Sequence, residues 1–107
     1  MAEVGTRKLF ENDRIILWEM TLEPGESTGM HTHEHEYFFH VLSGSVLETL
    51  DAGGRSLGES EFRAGKTYYL TLDGDELVLG NARAPAKHDA KNVGSGRYHE
   101  ILVELKK

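Results

Sequence analysis

Residues 24–44 read PGESTGMHTHEHEYFFHVLSG and contain four of the six histidines of the chain, His31, His33, His35 and His40. Successive side chains of a β-strand point to opposite faces, so His31, His33 and His35 share one face of a strand. A buried imidazole needs partners for its ring nitrogens, and a divalent metal ion supplies one. The spacing therefore indicates a metal site, with a solvated histidine-rich surface strand as the alternative.

Short apolar runs separated by turn residues fill the rest of the chain. The runs are RIILWEMTL (14–22), VLETL (46–50), KTYYLTL (66–72), ELVL (76–79) and RYHEILVEL (97–105). Pro24-Gly25 and Gly53-Gly54 predict tight turns between strands. The last run could also form a helix, but β-branched residues within it and glycines upstream favour a strand. This pattern predicts an all-β sandwich or small barrel.

Composition narrows the classes of protein to be considered. The chain has 107 residues and a net charge of −6, which predicts one domain and disfavours binding to nucleic acid. It has no cysteine, which excludes disulfides and thiolate ligands and fits the cytoplasm as the expected location. No apolar run approaches the roughly 20 residues of a membrane span, so we expect no membrane association.

Two motifs give the chain a resemblance to the small single-domain cupins (cupin type 2) of the RmlC-like jelly-roll superfamily. The first cupin motif, G-x5-H-x-H-x3(4)-E-x6-G, is matched at Gly25, His31, His33 and Gly44. The H-x3-N end of the second motif is matched at His88 and Asn92. The resemblance spans about residues 14–105. It implies a double-stranded β-helix, or jelly-roll barrel, as one cupin domain over residues 1–107.

The resemblance also implies a ligand set for a divalent transition metal. The three positions that match cupin ligands are His31, His33 and His88, and iron, nickel, zinc or manganese are the candidate ions. Tyr37 stands where cupins carry a ligating glutamate, so either Tyr37 or His35 is an additional candidate ligand. A phenol ionises only near pH 10, which favours a supporting or pocket role for Tyr37 over ligation.

Three residues are candidates for the wall of the pocket, namely Tyr37, Tyr68 and Arg83. The resemblance implies a metal-dependent enzyme acting on a small oxygen-rich metabolite, of dioxygenase, isomerase or lyase type. The alternative is a non-enzymatic protein that binds or senses a small molecule. One version of this alternative has a degenerate metal site. The expected partners are a small-molecule ligand or substrate and a second copy of the chain. The second copy is expected because the resemblance to small cupins implies a homodimer.

Overall fold

Residues 3–106 are described by a computed structural model, and within them the chain forms eleven β-strands. The strands are β1 (Arg7–Glu11), β2 (Ile15–Leu22), β3 (His31–Thr32), β4 (Glu36–Ser43), β5 (Ser45–Leu50), β6 (Ser56–Phe62), β7 (Thr67–Asp73), β8 (Glu76–Leu79), β9 (Ala82–Pro85), β10 (Lys87–Asn92) and β11 (Tyr98–Leu105). The last run is thus a strand, as its composition predicts. The described residues form no helix, and therefore none long and apolar enough to cross a membrane.

Two antiparallel sheets enclose the core. The larger sheet has the strand order β1-β2-β11-β4-β7-β8-β9, and the smaller has the order β3-β10-β5-β6. The rings of Phe39 in the larger sheet and Phe62 in the smaller lie 5.7 Å apart, so the sheets pack through their inner side chains. This architecture is a double-stranded β-helix, which confirms the predicted all-β jelly roll.

The inner face of β11 carries carboxyl groups as well as apolar side chains. Along this strand burial alternates, and the buried residues are Tyr98, Glu100, Leu102 and Glu104. The intervening residues, which are mostly aliphatic, are half-buried on the outer face. Glu100 and Leu102 pair with Met20 and Trp18 of β2, whose buried side chains lie on the same inner face. The barrel wall therefore contains two acidic residues where a purely structural sheet would carry apolar ones.

Both predicted turns are present. Glu26 N–H donates to the Glu23 carbonyl at 2.9 Å, and Gly25 between them has φ of 89°. Gly54 N–H donates to the Asp51 carbonyl at 2.9 Å in the hairpin that joins β5 to β6. A positive φ suits glycine because a Cβ would be strained there.

Several strands lie where the sequence pattern predicts none. β1, β6, β9 and β10 fall in segments without a long apolar run. β1, β6 and β9 are edge strands, and most of their side chains are exposed, so they need no apolar alternation. The separator 80–85 contains β9, where Pro85 is tolerated at a sheet edge. β10 is internal to its sheet but carries His88 and Asn92, the residues of the second motif.

Asn92 ties the end of β10 to three neighbouring segments. Its side chain is completely buried, and its Nδ2 donates to the carbonyls of Leu22 at 2.8 Å and Gly96 at 2.9 Å. Its Oδ1 accepts from Ser45 Oγ at 2.7 Å and from Gly94 N–H at 3.0 Å. The asparagine of the second motif is thus a structural clamp, since all its side-chain bonds go to the fold.

Asn92→Ala should lower the free energy of unfolding by about 3 kcal/mol, because it leaves buried carbonyl groups without donors. The measurement is urea unfolding followed by tryptophan fluorescence. The matched control is Asn81→Ala at an exposed position, which should change the stability by less than about 0.5 kcal/mol. A loss below about 1 kcal/mol for Asn92→Ala would contradict the clamp.

Candidate metal centre

Strand register brings three histidines together. His31 of β3 lies directly opposite His88 of β10 in the antiparallel pair. His33 follows β3, and its backbone N–H donates at 2.9 Å to the carbonyl of Ala86, the residue just before β10, which keeps His33 beside the start of that strand. His31 and His33 are two residues apart and share a face. One ring nitrogen from each of the three imidazoles lies within 4.8 Å of the other two.

Backbone carbonyls orient two of these imidazoles. His31 Nδ1 lies 2.9 Å from the Gly29 carbonyl oxygen, and His88 Nδ1 lies 2.8 Å from the Pro85 carbonyl oxygen. A carbonyl only accepts hydrogen bonds, so each Nδ1 carries the proton. The Nε2 atoms of both neutral rings consequently present a lone pair, which is the form of imidazole that ligates a metal.

His33 completes the donor set. Its Nε2 lies 3.1 Å from His31 Nε2, so the two atoms share either one proton or one cation. A divalent ion would accept the lone pairs of both nitrogens together with that of His88, and all three rings are at least half-buried. These residues therefore fit a metal ion that prefers imidazole nitrogen, such as zinc, iron or nickel.

A second set of groups supports His31. The Thr28 hydroxyl oxygen lies 3.1 Å from His31 Nδ1 and donates to Asp89 Oδ1 at 3.1 Å. Asp89 also accepts the Gly29 N–H at 3.0 Å. A carboxylate behind a ligating imidazole fixes the ring and strengthens it as a donor. Neither Thr28 nor Asp89 was predicted from the sequence, because only the folded chain shows that these two side chains meet.

Burial keeps the histidines neutral. Together with a smaller effect of the neighbouring imidazoles, it lowers the pKa of His33 to about 2 and that of His88 to about 4. The pKa of His31 is also lowered by burial, although its bond to Gly29 and the Asp89 carboxylate oppose the shift. Neutral imidazoles at pH 7 are ready to bind a cation without first losing a proton.

Tyr37 supports His33 through its ring. The two rings are stacked, with centroids 4.2 Å apart and planes 15° from parallel, and Tyr37 is buried. His33 Nδ1 has no hydrogen-bond partner within the described part of the chain, so the stack on Tyr37 and the contact with His31 orient this imidazole. Burial raises the pKa of the Tyr37 phenol far above its usual value, and the nearby carboxyl groups of Glu100 and Glu104 raise it further. The side chain is a neutral phenol.

A cavity of about 310 Å³ adjoins the three histidines. Its apolar wall includes Phe39, Leu47, Phe62, Leu77 and Leu102. Its polar groups, besides the imidazoles, include Tyr37, Arg83 and Glu100. The exposed β6 residues Glu59 and Ser60 also line it, so the cavity opens to solvent beside β6. Its size is at the lower end of the range for small-molecule sites, and its mixture of apolar wall and few polar groups is typical of them.

Glu100, which lines the cavity, was also not predicted from the sequence. It lies on β11, is 2% exposed, and accepts the Tyr98 hydroxyl hydrogen on Oε1 at 2.6 Å. Burial raises its pKa to about 7, and the bond from Tyr98 partly opposes this shift. The alternation of Glu100, Leu102 and Glu104 along the last strand was visible, but nothing in the sequence shows which face of that strand lines the barrel.

The other predicted site residues are placed as follows. His35 is half-buried and does not belong to the histidine group found within residues 3–106. Tyr68 packs against Phe39 and Phe62 at ring distances of 5.1 and 5.2 Å, behind the cavity wall rather than on it. Arg83 lies on the cavity rim and pairs with the carboxylates of Asp73 and Glu76 at 3.0 and 3.1 Å, all largely exposed to solvent.

Residues 18–71, which run from within β2 into β7 and contain His31, His33 and Tyr37, match the Cupin domain family. The chain is a cupin. No match was found among proteins of curated function.

Solved structures show the same fold for this cupin. A cupin domain from Bordetella pertussis Tohama I is 20% identical, with a TM-score of 0.71 over 100% of this chain and 99% of that one. An RmlC-like cupin family protein with a double-stranded β-helix fold from Methanocaldococcus jannaschii is 12% identical, with a TM-score of 0.61 over 99% and 81%. The polyketide cyclase RemF from Streptomyces resistomycificus is 24% identical, with a TM-score of 0.60 over 94% and 63%. At these identities the likeness establishes the fold.

Tyr37→Phe should leave the metal affinity within about threefold of the wild type, because the stack on His33 survives and the neutral hydroxyl is not a ligand. Tyr37→Ala removes the ring and should lower the free energy of unfolding by about 3 kcal/mol. Metal titration and urea unfolding measure the two effects. The exposed Tyr69 offers the control, since Tyr69→Ala should cost less than about 1 kcal/mol. A drop in affinity of about tenfold or more for Tyr37→Phe would identify the hydroxyl as a metal contact.

Proposed function

We propose that this cupin binds a divalent transition metal through His31, His33 and His88 and acts on a small oxygen-rich metabolite in the adjoining cavity. The observation that carries the proposal is the convergence of three neutral imidazoles within 4.8 Å on the wall of a 310 Å³ cavity. Three protein ligands leave coordination positions open, which is the arrangement of catalytic sites rather than of closed structural ones. When bound, the ion would supply Lewis acidity or, if it is iron, oxygen chemistry.

The cavity favours a ligand that is small and partly apolar and that carries oxygen atoms. Besides the imidazoles, the polar groups on its wall include Tyr37 and Glu100, while Phe39, Phe62 and Leu77 line other parts of the wall. A hydroxy acid, a diketone or a short polyketide-like chain has this distribution of polar and apolar atoms. One structural neighbour is a polyketide cyclase, so such a chain belongs among the candidates.

The residues around the cavity have two roles: they exclude water from the ligand, and they orient the candidate metal ligands. The apolar wall excludes water and orients the ligand's carbon atoms, which strengthens electrostatic interactions inside the cavity. Thr28 and Asp89 hold the His31 ring, and Tyr37 holds the His33 ring. The reaction class within this frame is dioxygenation, isomerisation or a lyase reaction, because related folds host many chemistries.

A ligand-binding protein without turnover is the second candidate. Arg83, the cation on the cavity rim, is already paired with two carboxylates and is not free for an anionic substrate. The remaining wall is largely apolar, and such a wall suffices to bind a small molecule without transforming it. The same three histidines would then anchor the ligand through the metal.

We also propose that the protein is a homodimer that uses the outer face of the larger sheet. Val103 of β11 lies beside Leu17 of β2 and Phe38 of β4 on this face, and all three are only half-buried. Phe10 on the edge strand β1 is 50% exposed. Burying this apolar surface in a second copy would stabilise a small domain. Sedimentation equilibrium should give twice the mass of one chain, and a monomer at micromolar concentration would contradict the proposal.

The metal site is tested by titrating metal-free protein with zinc, iron(II), nickel and manganese and by elemental analysis after dialysis. We expect one tightly bound ion per chain. His31→Ala and His88→Ala should each weaken binding by more than about 100-fold, which exceeds the usual effect of losing an outer partner. The matched control is His40→Ala, because His40 lies on the outer face and bonds to Thr67. Equal affinity in all variants would contradict the site.

Turnover separates the two candidate functions. The metal-loaded protein is incubated with hydroxy acids, diketones and polyketide-like chains, and both oxygen uptake and product formation are followed. The enzyme proposal expects turnover that is lost in His88→Ala and retained in His40→Ala. Saturable binding with no product, whichever metal is loaded, would favour the ligand-binding protein instead.

A further inference from the structure

The carboxyl group of Glu100 is only half satisfied by the fold. Its Oε1 accepts the hydroxyl hydrogen of Tyr98, whereas its Oε2 is buried and has no hydrogen-bond partner within residues 3–106. Glu100 lines the cavity that adjoins the three histidines. Buried polar atoms normally have a hydrogen-bond partner. An unpaired polar atom in a cavity wall can therefore form a hydrogen bond with a polar group of the ligand.

We propose that Glu100 Oε2 binds an oxygen of the ligand and exchanges a proton with it. This inference rests on the proposed function, because the ligand is the one held beside the metal site. It assigns the substrate class more narrowly: the molecule carries at least two oxygen functions, one directed to the histidines and one that hydrogen-bonds to Glu100. A hydroxyl or enol on the second oxygen would serve as the proton donor.

The surroundings of Glu100 favour a carboxyl group that changes its protonation state. β2 places the thioether of Met20 opposite it, and β4 contributes the neutral phenol of Tyr37. Its own strand adds the Tyr98 hydroxyl and the Glu104 carboxyl, while the imidazoles that share the cavity are neutral. No cation among the described residues pairs with Glu100, and burial brings its pKa to about 7. Both protonation states are therefore populated near neutral pH.

The proton exchange is a single balanced step. As the O–H bond of the ligand breaks, its proton passes to Glu100 Oε2 and the electron pair of the bond stays on the ligand oxygen. The carboxylate becomes a neutral carboxylic acid, which the apolar surroundings favour, while Oε1 keeps the hydrogen bond from Tyr98. In the reverse direction the protonated carboxyl group returns the proton to the ligand.

Infrared spectroscopy of the metal-free protein tests the titration directly. The C=O stretching band of a protonated carboxylic acid should be present at about pH 6 and be lost as the pH rises, with a midpoint near pH 7. Glu100→Gln should abolish this band. The matched control is Glu104→Gln, which changes a buried carboxyl group on the same face that bonds to Trp18 and does not line the cavity, and should leave the band unchanged. A band that survives Glu100→Gln, or its absence from the wild type at pH 6, would overturn the proposal.

Tyr98→Phe gives a second test with an almost unchanged shape. It removes the hydroxyl group that donates to Oε1 and stabilises the carboxylate, so the infrared midpoint should move to higher pH. An unchanged or lower midpoint would show that the Tyr98 hydroxyl does not stabilise the Glu100 carboxylate.

Catechol is the probe for exchange with a ligand, because it carries two adjacent hydroxyl groups and binds metal ions. Calorimetric titration of zinc-loaded protein at about pH 8, in buffers of different ionisation enthalpy, counts the protons released. The wild type should release about one proton fewer than Glu100→Gln, since its carboxylate takes up a proton from catechol. Equal proton release would overturn the role of Glu100. Failure of catechol to bind to the zinc-loaded protein would instead contradict an open, ligand-accepting position at the metal, and with it the ligand part of this inference, while the infrared result stands on its own.

Discussion

The antiparallel pairing of β3 with β10 is the constraint on which the site depends. It sets His31 opposite His88, and beside this pair the Gly29 and Pro85 carbonyls lie within reach of the two Nδ1 atoms. Those two hydrogen bonds decide which nitrogen of each ring carries the proton. A short stretch of backbone therefore fixes both the position and the chemical state of two of the three candidate ligands.

Much of the fold was predictable from local pattern. Short apolar runs predicted β2, β5, β7, β8 and β11, and Pro24-Gly25 and Gly53-Gly54 marked turns that the structure contains. The edge strands were missed because a solvated strand needs no apolar face, so its sequence resembles a loop. The chain is a cupin, and the two motifs that suggested this lie where the strands bring them together.

Only the site residues that belong to the two sequence motifs could be predicted. His31, His33 and His88 could be named from spacing, yet their partners Thr28 and Asp89 come together only through strand register. Glu100 shows the limit most clearly. Its strand has aliphatic residues on one face and two acids on the other. Local hydrophobicity would therefore predict that the aliphatic face lines the core, whereas the face with the acids does. The acids face the barrel because β11 lies between β2 and β4, whose buried side chains fix the inner face. A conflict between local pattern and burial is typical of functional positions.

The proposed metal site requires that three Nε2 atoms meet at one ion beside the cavity. The most direct test is a crystal structure of zinc-loaded protein with anomalous diffraction measured at the zinc edge. We predict a single strong peak at bonding distance from Nε2 of His31, His33 and His88, with Nδ1 of His31 and His88 still bonded to the carbonyls. A peak bound elsewhere, or through Nδ1 of either of these rings, would contradict the account.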